Sequence, residues 1–212
     1  MTAYEFPMFP LGSVLLPSML LPLHIFEERY RTMMDRVMDS EVPGFGVVLI
    51  ERGHEVGGED QRSNIGTLAR VLNHERAADG RWGVLAVGVE RIRVNEWLPD
   101  DPFPRAIVES WDDESQASEA ETADYLQLCT LHRRLLALTS ELGYDVGQIP
   151  DLTEDPTLGS FQLAATAPIS SFDRQRLLAA PTVADRLPLL AETLNSAMAI
   201  VEMEMGQSLR DE

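Results

Sequence analysis

Residues 112–124 (DDESQASEAETAD) form an acidic stretch nearly free of large apolar side chains, and the hydrophobic period of the sequence changes across it. Before it, apolar residues alternate or come in short runs broken by Gly and Pro, as in strands. After it, they recur every three to four residues between capping residues and prolines, as in helices. The sequence therefore predicts an α+β chain, with a β subdomain over 1–115 and a helical subdomain over 116–212. Hydrophobic residues make up 44% of the chain, enough for a genuine core.

In the first half, residues 4–9 and 14–16 read as short extended pieces. Their prolines assign them to a sheet edge or to wrapping segments, because Pro cannot donate to a ladder. Tyr30, Met33, Met34, Val37 and Met38 then repeat at helical spacing, with Glu27, Glu28, Arg31, Asp35 and Arg36 on the other side. They predict one amphipathic helix over 26–38, its methionine stripe facing the core and Glu27 pairing with Arg31. Strands are predicted at 46–50, 65–74, 82–89, 90–97 and 105–111, with a polar loop over 51–64 and a two-residue turn at Asp79-Gly80. Alternation puts Arg91 and Arg93 on one face and Ile92 and Val94 on the other. So many short strands around a hairpin predict a small closed or partly closed barrel. Its expected core is Leu68, Leu85, Val87, Ile92, Val94 and Val108.

The second half predicts about four helices. Ser118 and Glu121 make a capping box ahead of Leu128, Leu131, Leu135, Leu138 and Leu142, and Gly143 ends that helix. Asp155-Pro156 opens a second helix and Ser170 or Ser171 a third. Thr182 opens a fourth, which Pro188 is expected to kink near its start. Leu131, Leu135, Leu138, Leu190 and Leu194 are the expected core.

Charge excludes function classes. The net charge is −18, from 18 acids against 11 arginines in residues 1–112 and 17 against 6 in residues 113–212. Neither half offers the basic face that nucleic acid or an anionic membrane requires, so neither is an expected partner. All 17 basic residues are arginine. Without lysine there is no Schiff base, no Ser-Lys dyad and no phosphate-loop lysine. Cys129 is the single cysteine, which fits a buried thiol in a reducing, cytoplasmic setting. The apolar stretch 6–26 is neither a signal peptide nor a membrane span: Glu5 precedes it, and Pro7, Pro10, Pro17 and Pro22 interrupt it.

No catalytic constellation emerges. His24, His54, His74 and His132 stand singly, without ligand spacing, and no Gly-x-Ser-x-Gly elbow occurs. Gly57-Gly58 is a loop tip and not a phosphate cradle. No catalytic residue, metal or cofactor is expected. His24 is the histidine of most interest, because it lies within the most distinctive motif.

That motif runs Phe9-Pro10-Leu11-Gly12-Ser13-Val14, then Leu16-Pro17, then Pro22-Leu23-His24-Ile25-Phe26-Glu27-Glu28-Arg29-Tyr30. Further on stand Ile65-Gly66-Thr67-Leu68-Ala69, Asp79-Gly80-Arg81 and Gly88-Val89-Glu90-Arg91-Ile92. Leu163-Ala164-Ala165, Pro168-Ile169, Gln175-Arg176-Leu177-Leu178 and Arg186-Leu187 follow in the helical half. In this order they resemble the substrate-binding N-terminal domain of Lon-type proteases over nearly the whole chain. Ser18 departs from the glycine common after the motif's proline, and Pro188 interrupts the last helical motif.

The resemblance implies a PUA-like β-barrel with one inserted helix, followed by a helical subdomain. It also implies the holding of unfolded or degron-bearing polypeptide, with a AAA+ protease as a possible partner. It does not imply catalysis: the chain ends at Glu212, ahead of any ATPase, and the family's Ser-Lys dyad has no lysine here. A non-enzymatic polypeptide-binding module, an adaptor or a holdase, is the leading expectation. RNA binding through the barrel is the alternative, opposed by the charge.

The polypeptide site is expected beside the proline-rich motif, in a cleft at the junction with the helical half. Leu20, Leu21, Leu23 and Phe26 are the expected apolar contacts and Glu27 and Arg29 the polar anchors. Prolines stiffen the segment, and the free N–H groups at the start of the helix over 26–38 can receive a carboxylate or a carbonyl.

Overall fold

The structure, a computed structural model, describes residues 3–52, 61–113, 116–147 and 151–211. Two compact units divide the chain, Met1–Asp112 and Asp113–Glu212. The first contains β1 (Tyr4–Leu11), β2 (Leu20–Ile25), α1 (Glu28–Met38), β3 (Gly44–Arg52), β4 (Gln61–Arg76), β5 (Trp82–Leu98) and β6 (Arg105–Ser110). They form one mixed sheet in the order β2-β5-β4-β3-β1-β6, with β5 also paired to β6. The ladders β1–β3, β3–β4, β4–β5, β5–β6 and β6–β1 thus close a ring. Length makes this possible: β5 pairs with β2 over its first six residues and with β6 from Ile92 onward. β2 lies outside the ring, as an edge.

The prolines of β1 do not mark an edge, contrary to the reading from sequence. β1 pairs antiparallel with β6 through Tyr4–Pro7 and parallel with β3 through Met8–Leu11. The N–H of Met8 donates to the carbonyl of Pro104 at 2.9 Å, which sets the side each nitrogen faces. By alternation Pro10 faces that same side, beyond the end of the β6 ladder, and Pro7 faces the β3 side before that ladder begins. Each missing donor falls where no acceptor waits. Residues 14–16 form no strand. They are a buried connection, and the Leu15 carbonyl accepts the Thr67 hydroxyl at 2.6 Å. Ser18 adopts φ 66, the left-handed region that favours glycine, at the position where the resemblance expects glycine.

α1 buries Tyr30, Met33, Met34 and Val37, so its methionines are core filler. They pack with Phe9, Ile25, Phe45, Trp82 and Val84. A second cluster, Met8, Val48, Ile92, Val94, Ala106 and Val108, comes entirely from strands of the ring. Leu68, Leu85 and Val87 are only half-buried. For the last two the reason is parity: before the bulge between Gly88 and Glu90, Trp82, Val84 and Ala86 face the α1 cluster and Leu85 and Val87 face away from it; beyond the bulge the alternation reverses, and Ile92 and Val94 face the ring cluster while Arg91 and Arg93 face the other way. Those two arginines both lie over the ring of Trp111, at 4.2 and 4.5 Å. The β4–β5 hairpin closes through residues 77–81, longer than the two-residue turn expected, with Gly80 at φ 82. Residues 53–60, which include most of the expected polar loop, His54 and Gly57-Gly58, lie outside the described residues.

The second unit holds α2 (Glu119–Glu141), α3 (Pro156–Thr166), α4 (Ser171–Leu178) and α5 (Val183–Asp211). The local signals act as the sequence predicts. Ser118 and Glu121 form the reciprocal capping box. Asp155, Ser170 and Thr182 each accept a backbone N–H at a helix start. Gly143, at φ 87, ends α2, with Gly143 N–H on Ser140 and Tyr144 N–H on Thr139. The buried face of α2 carries Tyr125, Leu128, Cys129, His132, Leu135, Leu136 and Thr139, so Leu131 and Leu138 are half-buried flanks and not its centre. α5 continues through Pro188 and buries Leu190 and Leu194. Arg186 of α5 is fully buried: it forks onto Asp113 at 2.6 and 3.3 Å, donates to Ser160 at 2.8 Å, and lies 3.9 Å from the centre of the Phe161 ring. No helix among the described residues is long and apolar enough to cross a membrane.

Candidate polypeptide-binding edge

β2 is an edge because it pairs only with β5 among the described residues. Its register runs Leu20↔Val87 through Ile25↔Trp82 without a bulge, and the N–H of Gly88 donates to Met19. Backbone groups of Met19, Leu21, Leu23 and Ile25 therefore face β5, and those of Leu20, Pro22 and His24 face outward. Pro22 has no N–H to give. The open edge thus offers three carbonyls and two donors, enough to receive an extended segment briefly but not to nucleate a long ladder.

Side chains follow the complementary alternation. Leu21 and Ile25 point into the core, at 8% and 2% exposure. Leu20 and Phe26 stand out, at 54% and 59%. Leu23 is half-buried against the core cluster. The expected proline-rich loop is thus largely a strand, and Leu21 is corrected from a surface contact to a core residue, because strand parity separates it from Leu20.

Phe26 and Leu23 line a hollow of about 140 Å³ whose other walls include Phe9, Pro10, His24 and Tyr30. Its floor is rigid: the Phe9 and Tyr30 rings stack at 4.2 Å between centroids. Leu23 also lines a broad surface depression of about 530 Å³ with Asn73, His74 and Leu85. Glu27 completes the wall of the first. Its carboxylate accepts from Arg29 Nε at 3.1 Å, and the Arg29 guanidinium lies 4.5 Å from the centre of the Tyr30 ring. The partner of Glu27 is therefore Arg29, where the sequence suggested Arg31.

Glu27 precedes α1 in extended conformation and makes no side-chain cap. With Glu28 in the first turn, two carboxylates already balance the positive end of the helix. An approaching carboxylate meets repulsion there, whereas a neutral peptide carbonyl does not. The surface combines exposed apolar side chains, an aromatic-floored hollow, a short open sheet edge and one neutralised ion pair. A set of that kind is chemically suited to extended apolar chain.

His24 is exposed and lines the hollow. Sequence reasoning missed Phe9 and Tyr30 as wall residues, although they begin and end the same motif. His132 lies elsewhere, buried on α2 in the second unit, with Nε2 2.8 Å from the Thr166 hydroxyl. Burial, aided by the charge of Arg133, pushes it down to about 4. Among the described residues no three His, Cys, Asp or Glu side chains gather in a group able to hold a metal ion.

Comparison with known proteins bears on the chain as a whole. A family model for the substrate-binding domain of the ATP-dependent protease La (LON) matches residues 5–196. Lon protease 2 of Herpetosiphon aurantiacus is 25% identical over 206 residues, covering 96% of this chain and 25% of that protein. The chain spans about a quarter of the length of the Lon proteases it matches. A Lon N-terminal domain protein from Xanthomonas campestris superposes with a TM-score of 0.66 at 25% identity, covering 89% of this chain and 98% of that one. The N-terminal domain of the Mycobacterium avium complex Lon protease has the same fold, with a TM-score of 0.65 at 19% identity over 91% of this chain and 98% of that one.

Proposed function

We propose that this chain, which belongs to the family of LON substrate-binding domains, holds unfolded or degron-bearing polypeptide through the β2 edge and the hollow beside it. The observation that carries this reading is the exposure of Phe26 on the wall of an aromatic-floored hollow, with Leu20 exposed at the far end of the adjoining edge strand. Two large apolar groups left in water along one edge strand, one of them at a rigid concavity, favour apolar ligands, since burying each returns about 1.5–3 kcal/mol. Rigidity matters equally: the strand, the prolines and the Phe9–Tyr30 stack are in place before binding, so little ordering cost falls on the protein. In this proposal Leu20, Leu23 and Phe26 make apolar contact, and Glu27 with Arg29 orients the bound main chain through charge-assisted hydrogen bonds.

The role is binding without catalysis, as a quality-control adaptor or holdase acting with a AAA+ protease or alone, in the cytoplasm. The test is anisotropy of a labelled, permanently unfolded client titrated with the whole chain. Binding is expected in the micromolar range, weakened about tenfold or more by Phe26→Ser, with an unchanged melting temperature. No binding to any of several unfolded clients at tens of micromolar would overturn the reading. Affinity capture then separates the roles: a AAA+ protease as the recovered partner indicates an adaptor, and many unrelated clients indicate a holdase.

A further inference from the structure

We propose that a second cavity, of about 360 Å³ at the C-terminal end of α1, binds the free carboxylate end of a polypeptide whose last side chains are apolar. The proposal rests on the polypeptide-binding reading above but concerns a different place. Phe6, Val37, Val42 and Phe103 supply apolar wall, and Arg36 and Arg105 supply guanidinium. The volume lies within the range of ligand pockets, roughly 300–1,000 Å³.

Charge identifies the occupant. Arg29, Arg62, Arg76, Arg81 and Arg105 of this unit each pair with an acid. Arg36, like Arg31, Arg70 and Arg93, has no carboxylate partner among the described residues, and of these it is the one that lines the cavity; it lies 5.1 Å from the centre of the Phe103 ring. Arg105 is steered by Glu5 at 2.8 Å and the Pro99 carbonyl at 3.4 Å, and its buried Nε has no acceptor. Glu5 also lines the cavity, so its lining holds two guanidiniums and one carboxylate.

A helix C-terminus ordinarily repels an anion. Here its carbonyls are engaged: Arg36 accepts from Asp39 N–H, and Val37 accepts from Ser40 N–H and, at 2.7 Å, from the Ser40 hydroxyl. A planar carboxylate matches the Arg36 fork, and the aromatic wall beneath it lowers the local dielectric. A chain terminus suits the site better than an internal Asp or Glu. It presents charge and last side chain together, whereas an internal residue brings peptide groups on both sides that apolar walls leave unsatisfied.

The test uses a decapeptide labelled at its N-terminus and ending in Val-Leu-Phe, made once as the free acid and once as the amide, titrated against the whole chain. The free acid is expected to bind about tenfold tighter, with the gap narrowing as salt rises. Arg36→Gln, at an exposed position, is expected to abolish the preference without changing the melting temperature, and Val42→Asp to reverse it. Equal binding of acid and amide, or a preference that survives Arg36→Gln, overturns the proposal. Unfolded clients that still bind in that case leave the β2 edge standing; failure of every client overturns the reading on which both depend.

Discussion

The ring of Phe9, in the second half of β1, stacks on the ring of Tyr30, in the first turn of α1, with 4.2 Å between centroids and 25° between planes. The contact joins the two ends of the most distinctive sequence motif and makes the floor of the candidate hollow. Both residues are buried. Tyr30→Ala is expected to cost about 3–5 kcal/mol in urea unfolding, through lost area and a cavity. Tyr30→Phe keeps the stack and is expected to cost under about 1 kcal/mol. Equal losses in the two variants would show that the hydroxyl, and not the ring, holds the floor.

Leu20 and Leu21 are neighbours in sequence with opposite fates. Leu21→Ser empties a core position and is expected to cost at least about 2 kcal/mol. Leu20→Ser is expected to stay within about 0.5 kcal/mol of wild type while weakening client binding. Thermal melts beside client titrations of the two variants check both halves of this statement. A stable Leu21→Ser would contradict the strand parity.

His132 couples the second unit to pH. Its folded value, about 4, lies below the ordinary 6.5, so the unfolded chain takes up the proton first. Its stabilising contribution is whole above about pH 6.5 and is lost as the pH falls towards 4. Between about pH 7.5 and 5 this one group is expected to remove about 2 kcal/mol. His132→Gln is expected to flatten the stability profile over that interval, measured by urea unfolding at each pH. An identical slope in wild type and variant would remove His132 as the cause.

Arg186 and Asp113 form an ion pair with side chains 0% and 4% exposed. Asp113→Ala leaves a buried guanidinium without its counter-charge and is expected to cost about 3–5 kcal/mol. Removing both charges, as Asp113→Leu with Arg186→Met, is expected to recover most of that loss. Additive losses in the double variant would mean that the Ser160 bond and the Phe161 contact outweigh the ion pair.

The helix caps at Ser118, Asp155, Ser170 and Thr182, the terminating Gly143, the α1 stripe and the order of strands before helices were legible in the sequence. So was the family, from motifs spread along the chain. Each of these signals is local, because a cap, a turn or a helical stripe is decided by residues within a few positions of one another. The errors were of another kind. Leu85 and Val87 are as apolar as Ile92 and Val94, and only the pairing of β5 with β2, β4 and β6, with the bulge between Gly88 and Glu90, reveals which of them face a core. Leu131 and Leu138 look like the centre of the α2 stripe, yet the packing of α3 and α5 selects a face that includes His132 and Thr139.

Half of the candidate edge was visible as well. The sequence reading named Leu20, Leu21, Leu23, Phe26, Glu27 and Arg29, but composition could not separate Leu20 from Leu21. That distinction follows from β2 hydrogen-bonding to β5 on one side only. The second cavity left no trace in the sequence. Glu5 and Arg105, which meet at its wall, are 100 residues apart. The sequence by itself determined the local elements and the family; the closed ring, the open edge, the buried member of each apolar pair and the two hollows were decided by tertiary structure. The physical reason is range: backbone propensity and capping act over a few residues, whereas strand pairing and side-chain packing join residues that only the completed fold brings together.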